Sequence, residues 1–360
     1  MATVPLHEIH IARGAKMCPF AGWDMPIEYP TGTVAEHHAV RNTVGIFDVS
    51  HMGKVRVVGD GAAQFLNRVL TNDLDRISDG QAQYSLLCSD SGGVIDDLIV
   101  YRVNDDEVRI VPNASNSAVV VQVLQSLAPN SVTVHDLQTQ QGILAIQGPA
   151  SAQVLSAMGL PTELEYMSFV DATFAGQSLS VCRTGYTGEH GYELIAPNDI
   201  LEALWSAALE HGEPFGLLPC GLGARDTLRT EMGYPLHGQD ISTTISALAA
   251  KLGWAIGWDK PEMLGKQLLI DEKQTGSART LWGLRAVDRG IPRPHMNVKR
   301  GDDVIGETTS GTFSPTLQQG IALALLDVGV TEGDELVIDV RGRTLPVVVV
   351  KPPFVPSHVK

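Results

Sequence analysis

A chain of 360 residues that is 44% hydrophobic and 19% charged has globular composition and enough length for two or three cores, which excludes overall disorder. Its 26 basic and 41 acidic residues leave a formal net charge of -15, which argues against general binding to nucleic acid or anionic membrane, because both depend on clustered Lys and Arg. Cys18, Cys88, Cys182 and Cys220 are widely spaced, with no CxxC pair and no matching His cluster, so neither a zinc site nor a disulfide framework is indicated.

The chain opens on Met1-Ala2-Thr3-Val4-Pro5, without the basic and apolar regions of a signal peptide, and no apolar run approaches about 20 residues. A soluble cytoplasmic protein is expected. The first fifty residues combine Gly14-Ala15-Lys16-Met17, Phe20-Ala21-Gly22-Trp23-Asp24-Met25-Pro26, a helix from Thr33 to Asn42, and Phe47-Asp48-Val49-Ser50-His51-Met52. Aromatic and Met residues beside Gly and Pro read as core packing around turns, or as the wall of a ligand pocket.

From Lys54 to Leu137 the pattern runs strand (54–58), helix (61–70), strands around 84–87 and 93–102, strand (107–111), helix (114–127) and strand (131–135). This is the order of a mixed α+β sheet domain. Within it, Asp96 and Asp97 interrupt the otherwise apolar, β-branched run from Val94 to Val100, which follows the Gly92-Gly93 turn. Side chains alternate across a strand, so the two carboxylates point to opposite faces and at most one meets a given cavity. A buried carboxylate needs a backbone donor, an Arg or a ligand N–H; the alternative is a bulge or strand end that leaves both in water. Asn113, after the next strand, reads as an N-cap for the helix from Ala114.

The strand 143–147 ends in Gly148-Pro149 and leads into a helix over 150–158. Next, 179–183 and 192–195 read as strands around the polar turn Thr184-Gly185-Tyr186-Thr187-Gly188-Glu189-His190-Gly191, whose glycines permit either a tight turn or close approach to a ligand. Glu193 is an isolated acid in the returning strand, a position that calls for a specific partner. After a helix over 198–211, Gly221-Leu222-Gly223 lacks the third glycine and the βαβ entry of a dinucleotide site, which rejects that reading. Arg225 and Arg229 share a helical face and present guanidinium groups to a ligand, or else pair with Asp226 or Glu231. A charged helix and Gly-Ser turn over 260–276 mark a boundary, beyond which strands near 281–285, 303–309, 321–326, 335–340 and 346–350 suggest a small barrel or sandwich. Thr309-Ser310-Gly311-Thr312-Phe313-Ser314-Pro315-Thr316-Leu317 reads as its main polar loop.

Six stretches in order resemble the aminomethyltransferase, or T-protein, family of the glycine cleavage system. They are 20–23, 47–52, Gly92-Gly93-Val94-Ile95-Asp96-Asp97, Gly185-Tyr186-Thr187-Gly188-Glu189 with Gly191-Tyr192-Glu193, Gly221-Leu222-Gly223-Ala224-Arg225-Asp226, and 309–317. The resemblance covers nearly the whole chain. It implies an α+β three-domain cloverleaf with a C-terminal β-barrel-like domain: 1–53 with 138–275 as a discontinuous first folate-binding domain, 54–137 as a ferredoxin-like domain carrying the Asp pair, and 276–360 as the barrel. It also implies transfer of a one-carbon unit from the aminomethyl-lipoyl arm of H-protein to tetrahydrofolate in a central channel, with release of ammonia and formation of methylenetetrahydrofolate and dihydrolipoyl H-protein. P- and L-proteins are then functional neighbours, and no metal is expected. Carried over residue by residue, Asp97 matches the family's functional acid, with Asp96 mainly structural. Glu193 matches the acid that hydrogen-bonds the pterin, Tyr186 and Arg225 match folate-contacting positions, and Asn113 and Met52 are further cofactor contacts. Folate-dependent demethylases and a folate-binding iron–sulfur maturation factor share the fold and form the alternative reading.

Overall fold

A computed structural model describes residues 1–340 and 342–360. The apolar run around the Asp pair forms one long strand, Val94–Asn104, second in a five-stranded antiparallel sheet. Its order is Gln81–Cys88, Val94–Asn104, Glu107–Pro112, Val55–Gly59, Val132–Asp136. The helices Ala62–Val69 and Ser117–Leu127 cover one face, burying Phe65, Leu66, Val120 and Leu124 against Leu98, Val100, Val108 and Ile110. Each such side chain contributes about 1.5–3 kcal/mol by leaving water.

The second sheet has six strands in the order Phe169–Phe174, Gln177–Cys182, Gly191–Pro197, Gln141–Gln147, Val44–Asp48, Leu217–Pro219. Every residue of Val44–Asp48 is buried, as its apolar run requires. One face packs on the helix Leu201–Gly212 through Leu201, Leu204 and Trp205. On the other, Phe47, Ala145 and Cys182 meet Ala82 and Tyr101 of the five-stranded sheet and Ala224 and Leu228 of the helix Leu222–Met232. The two sheets thus join face to face through a shared apolar cluster, against which Met52 packs.

The last strands close into a barrel ordered Arg279–Ala286, Gln319–Asp327, Asp303–Ser314, Asn297–Arg300, Glu335–Val340, Arg343–Val350. Closure, rather than a sandwich, pairs every edge. Two elements differ from the sequence expectation. The expected polar loop over 309–317 is largely the second half of the strand Asp303–Ser314. Thr309, Ser310 and Ser314 are buried: Thr309 and Ser310 donate to Asp240 and Ser314 to Glu231, and the exposed Thr316 just beyond the strand also donates to Glu231. A Ser/Thr-rich strand that hydrogen-bonds acids of another element looks like a solvated loop in composition alone. The N-terminal turns also organise into a small sheet, with Trp23–Glu28 between Ala2–Thr3 and Lys16–Phe20, despite Pro19 and Pro26. Among the described residues, no helix is long and apolar enough to cross a membrane.

The segment after Gly233 folds back over the start of the Asp strand. Val94 N–H donates to the Ser242 carbonyl at 2.8 Å, and Gly93 bridges Ser246. A Cβ on Gly93 would stand 1.9 Å from the Thr243 carbonyl oxygen, so Gly93 is required by close backbone approach. Gly93→Ala is expected to lower stability by about 1–3 kcal/mol through overpacking and to reduce activity by displacing the strand end beside Asp97. A melting temperature and turnover equal to wild type would contradict this.

Candidate active site

Alternation along Val94–Asn104 separates the two acids. Asp96 faces the side that carries Leu98 and Val100, is fully buried, and accepts from Asn116 Nδ2 at 2.6 Å, Asn113 Nδ2 at 2.9 Å and the Asn113 backbone N–H at 2.9 Å. It ties down the turn before the helix Ser117–Leu127. Asp97 lies on the other face, where it accepts from the Tyr84 hydroxyl at 3.1 Å and from Asn113 Nδ2 at 2.7 Å. Asn113 is therefore not a helix cap. The helix begins only at Ser117, and the Asn113 amide instead bridges both carboxylates at the strand end.

Burial pushes both acids above the ordinary Asp range, Asp96 to about 8 with repulsion from Asp97 adding to it. For Asp97, burial outweighs the Tyr84 and Asn113 hydrogen bonds and the charge of His237. Two carboxylates joined through one amide resist double ionisation, so the pair holds a proton more readily than free Asp does. His237 donates from Nε2 to the Val94 carbonyl at 2.9 Å. Tyr84 stacks on Trp254, with centroids 5.3 Å apart.

Tyr186 sits in the turn expected from the glycines. Its hydroxyl donates to the Pro235 carbonyl, and its ring stacks on Tyr234 with centroids 5.6 Å apart. Burial raises its pKa, and the negative charge of Asp97 adds to the rise while Arg229 opposes it. The glycines themselves serve packing. A Cβ on Gly185 would lie 2.1 Å from Gln147 Oε1, while Gly188 has φ of +81° and no room beside Met232.

Arg225 and Arg229 behave differently despite sharing a helical face. Arg229 is nearly fully buried and paired with Asp226 at 2.7 Å and Asp240 at 2.8 Å. Glu231 is not its partner, being held by Arg41 at 2.8 Å. Arg225 lies with its guanidinium carbon 4.7 Å from the Tyr186 ring centroid. Among the described residues its guanidinium makes no hydrogen bond or ion pair. Burial lowers its pKa, and the charge of Glu193 acts in the opposite direction. A cation–π contact of about 0.5–2 kcal/mol compensates only part of that desolvation, leaving the five guanidinium donors for a ligand.

Glu193 is half-buried in Gly191–Pro197, and its Oε2 accepts from Thr184 Oγ1 at 2.6 Å. Met52 packs at the edge of the cluster containing Cys182 and Ala224. Its carbonyl accepts from Lys54 Nζ at 2.8 Å. The site therefore joins Asp97, Asn113 and Tyr84 at one end and Tyr186, Arg225 and Glu193 at the other. Tyr84, Thr184, His237 and His51 escaped the sequence reading. His51 is fully buried, with Nδ1 unpartnered, and burial together with Arg225 lowers its pKa to about 3. His51 and Thr184 belonged to stretches already singled out and Tyr84 to an expected strand, but their place beside the candidate residues follows only from strand register and tertiary packing.

A family model described as GCVT N-terminal domain matches residues 6–260, and one described as glycine cleavage T-protein C-terminal barrel domain matches 279–356. An aminomethyltransferase of Parafrankia sp. (strain EAN1pec) is 58% identical, covering 98% of this chain and 97% of the relative. One from Mycobacterium tuberculosis (strain ATCC 25618 / H37Rv) is 54% identical, covering 98% and 96%. The crystal structure of glycine cleavage system aminomethyltransferase T from Bartonella henselae superposes with a TM-score of 0.94 at 34% identity, covering 99% of this chain and 98% of that one.

Proposed function

The chain belongs to the aminomethyltransferase (T-protein) family of the glycine cleavage system, and on that premise we propose a tetrahydrofolate site spanning Asp97 to Arg225 and a lipoylated H-protein as the donor of the aminomethyl group. The protein is a transferase. The observation that carries the proposed site is Arg225, a half-buried guanidinium without an acid partner among the described residues, one turn away from the fully paired Arg229.

The residues fit the chemistry of a reduced pterin. Its amino and ring N–H groups are donors that suit the free Oε1 of Glu193, and its carbonyl is an acceptor that suits the Arg225 fork. Tyr186 and Tyr234 give an aromatic wall. When bound, tetrahydrofolate supplies the nucleophilic nitrogen that receives the one-carbon unit. Asp97, held by Tyr84 and Asn113, stands at the other end to orient that nitrogen and take its proton, a role matched to a carboxyl whose pKa burial has raised. Met52, packed on the cluster of Phe47, Cys182 and Ala224, adds apolar surface to the site in this reading. The burial around Asp97 and Tyr186 favours transfer to nitrogen over loss of the carbon to water. The same reading divides the chain into 1–53 with 138–275, 54–137, and 276–360, with the Asp strand contributed by the middle unit.

Titration of the purified chain with tetrahydrofolate tests the site. Wild type binds, and Arg225→Met weakens binding about 10–100-fold, as expected for loss of hydrogen bonds from a charged group. Equal affinity in the two proteins would remove Arg225 from the site.

A further inference from the structure

We propose that Tyr101 and Thr184 are positioning residues that aim Glu193 at the donor edge of folate and hold it at a fixed separation from Asp97. This rests on the folate reading of the site.

The relay is set by hydrogen-bond direction. Glu193 as a carboxylate only accepts, so the Thr184 hydroxyl, 2.6 Å from Oε2, spends its single proton there. Thr184 Oγ1 then has lone pairs left to accept from the Tyr101 hydroxyl at 3.0 Å. Thr184 is 3% exposed and Tyr101 1%, so water does not compete for either bond. With Oε2 held in this way, Oε1 is the oxygen left for a ligand.

Tyr101 lies on the same strand as Asp97, four residues further and therefore on the same face. Its ring meets Phe169 edge-on at 5.4 Å, which fixes the phenol direction. Thr184 follows the strand Gln177–Cys182 of the other sheet, and its carbonyl accepts from Gln147 Nε2 at 3.1 Å. The chain Tyr101–Thr184–Glu193 thus crosses from the sheet that carries the proton-handling acid to the sheet that carries the binding acid. A ligand gripping both acids needs that spacing to be constant, and neither acid sets it alone.

Thr184→Val, Thr184→Ser and Tyr101→Phe in the full-length protein test the relay, read by equilibrium tetrahydrofolate binding, steady-state kinetics and thermal melting. Thr184→Val is expected to raise both Kd and KM for tetrahydrofolate about tenfold, while kcat falls less, because the lost bond is made to a charged group. Thr184→Ser keeps the hydroxyl and restores Kd to within about threefold of wild type, and Tyr101→Phe weakens binding in the same direction by a smaller factor. A purely structural role would lower the melting temperature and leave Kd unchanged. Wild-type Kd in Thr184→Val, or a Thr184→Ser protein as weak as Thr184→Val, overturns the relay while leaving the folate site standing. No binding by wild type overturns the folate reading and the relay with it.

Discussion

Asp97→Asn is expected to retain the fold and most of the affinity for tetrahydrofolate while losing about 10²–10⁴-fold in kcat, the range that a positioned acid–base group supplies. The amide keeps the size of the carboxyl and still accepts from Tyr84 or Asn113 through its oxygen. It cannot take up a proton at the attacking nitrogen. KM for tetrahydrofolate then changes little, since binding rests on Glu193 and Arg225 at the other end of the site. Asp96→Asn differs: the three hydrogen bonds Asp96 accepts all come from the turn around Asn113 and Asn116, so its loss appears first in the melting temperature. Near-normal turnover in Asp97→Asn would take that residue out of the chemistry.

Glu231→Ala is expected to have the largest effect on stability. The carboxylate is fully buried between the helix Leu222–Met232, the helix Thr33–Asn42 and the barrel. It accepts from Arg41 at 2.8 Å, Thr316 Oγ1 at 2.9 Å, the Thr316 backbone N–H at 3.1 Å and the Ser314 hydroxyl, with His37 Nε2 at 3.3 Å. Burial alone would raise its pKa, yet these partners and the Arg41 charge hold it at about 2. Removing one member of such a buried set strands the others and costs about 3–5 kcal/mol. At ~2 °C per kcal/mol for a chain of this size, the melting temperature falls by about 6–10 °C. The sign in pH follows from a depressed carboxylate pKa. The contribution of Glu231 is present above the unfolded value of 4.5 and is lost as pH falls toward 2. A variant that melts with wild type, or whose deficit grows as pH falls from 4.5 to 2, would contradict this account.

The Asp strand was legible because a glycine pair followed by a β-branched run leaves little choice, and alternation alone separated Asp96 from Asp97. Arg225 and Arg229 could not be told apart. Arg229 pairs with Asp226, as the local sequence allows, but its buried partner, Asp240, comes from a later turn that no local pattern announces. Asn113 was misread because a residue that caps a helix and one that clamps two carboxylates occupy the same kind of position, just before an apolar helical run. The strand Asp303–Ser314 was cut short because its hydroxyls are buried by acids remote in sequence rather than by water. The buried pair of His10 Nε2 and Asp48 at 2.9 Å went unseen for the same reason, as its two halves lie 38 residues apart. In each case the missing information is a polar partner supplied by the tertiary fold.

The most direct measurement of the central claim is formation of ammonia and methylenetetrahydrofolate from the purified protein, aminomethylated H-protein and tetrahydrofolate, run beside a control without folate. Equal amounts of both products, formed only when folate is present, are predicted. Tight folate binding with neither product would contradict the account and leave a folate-binding protein of the same fold.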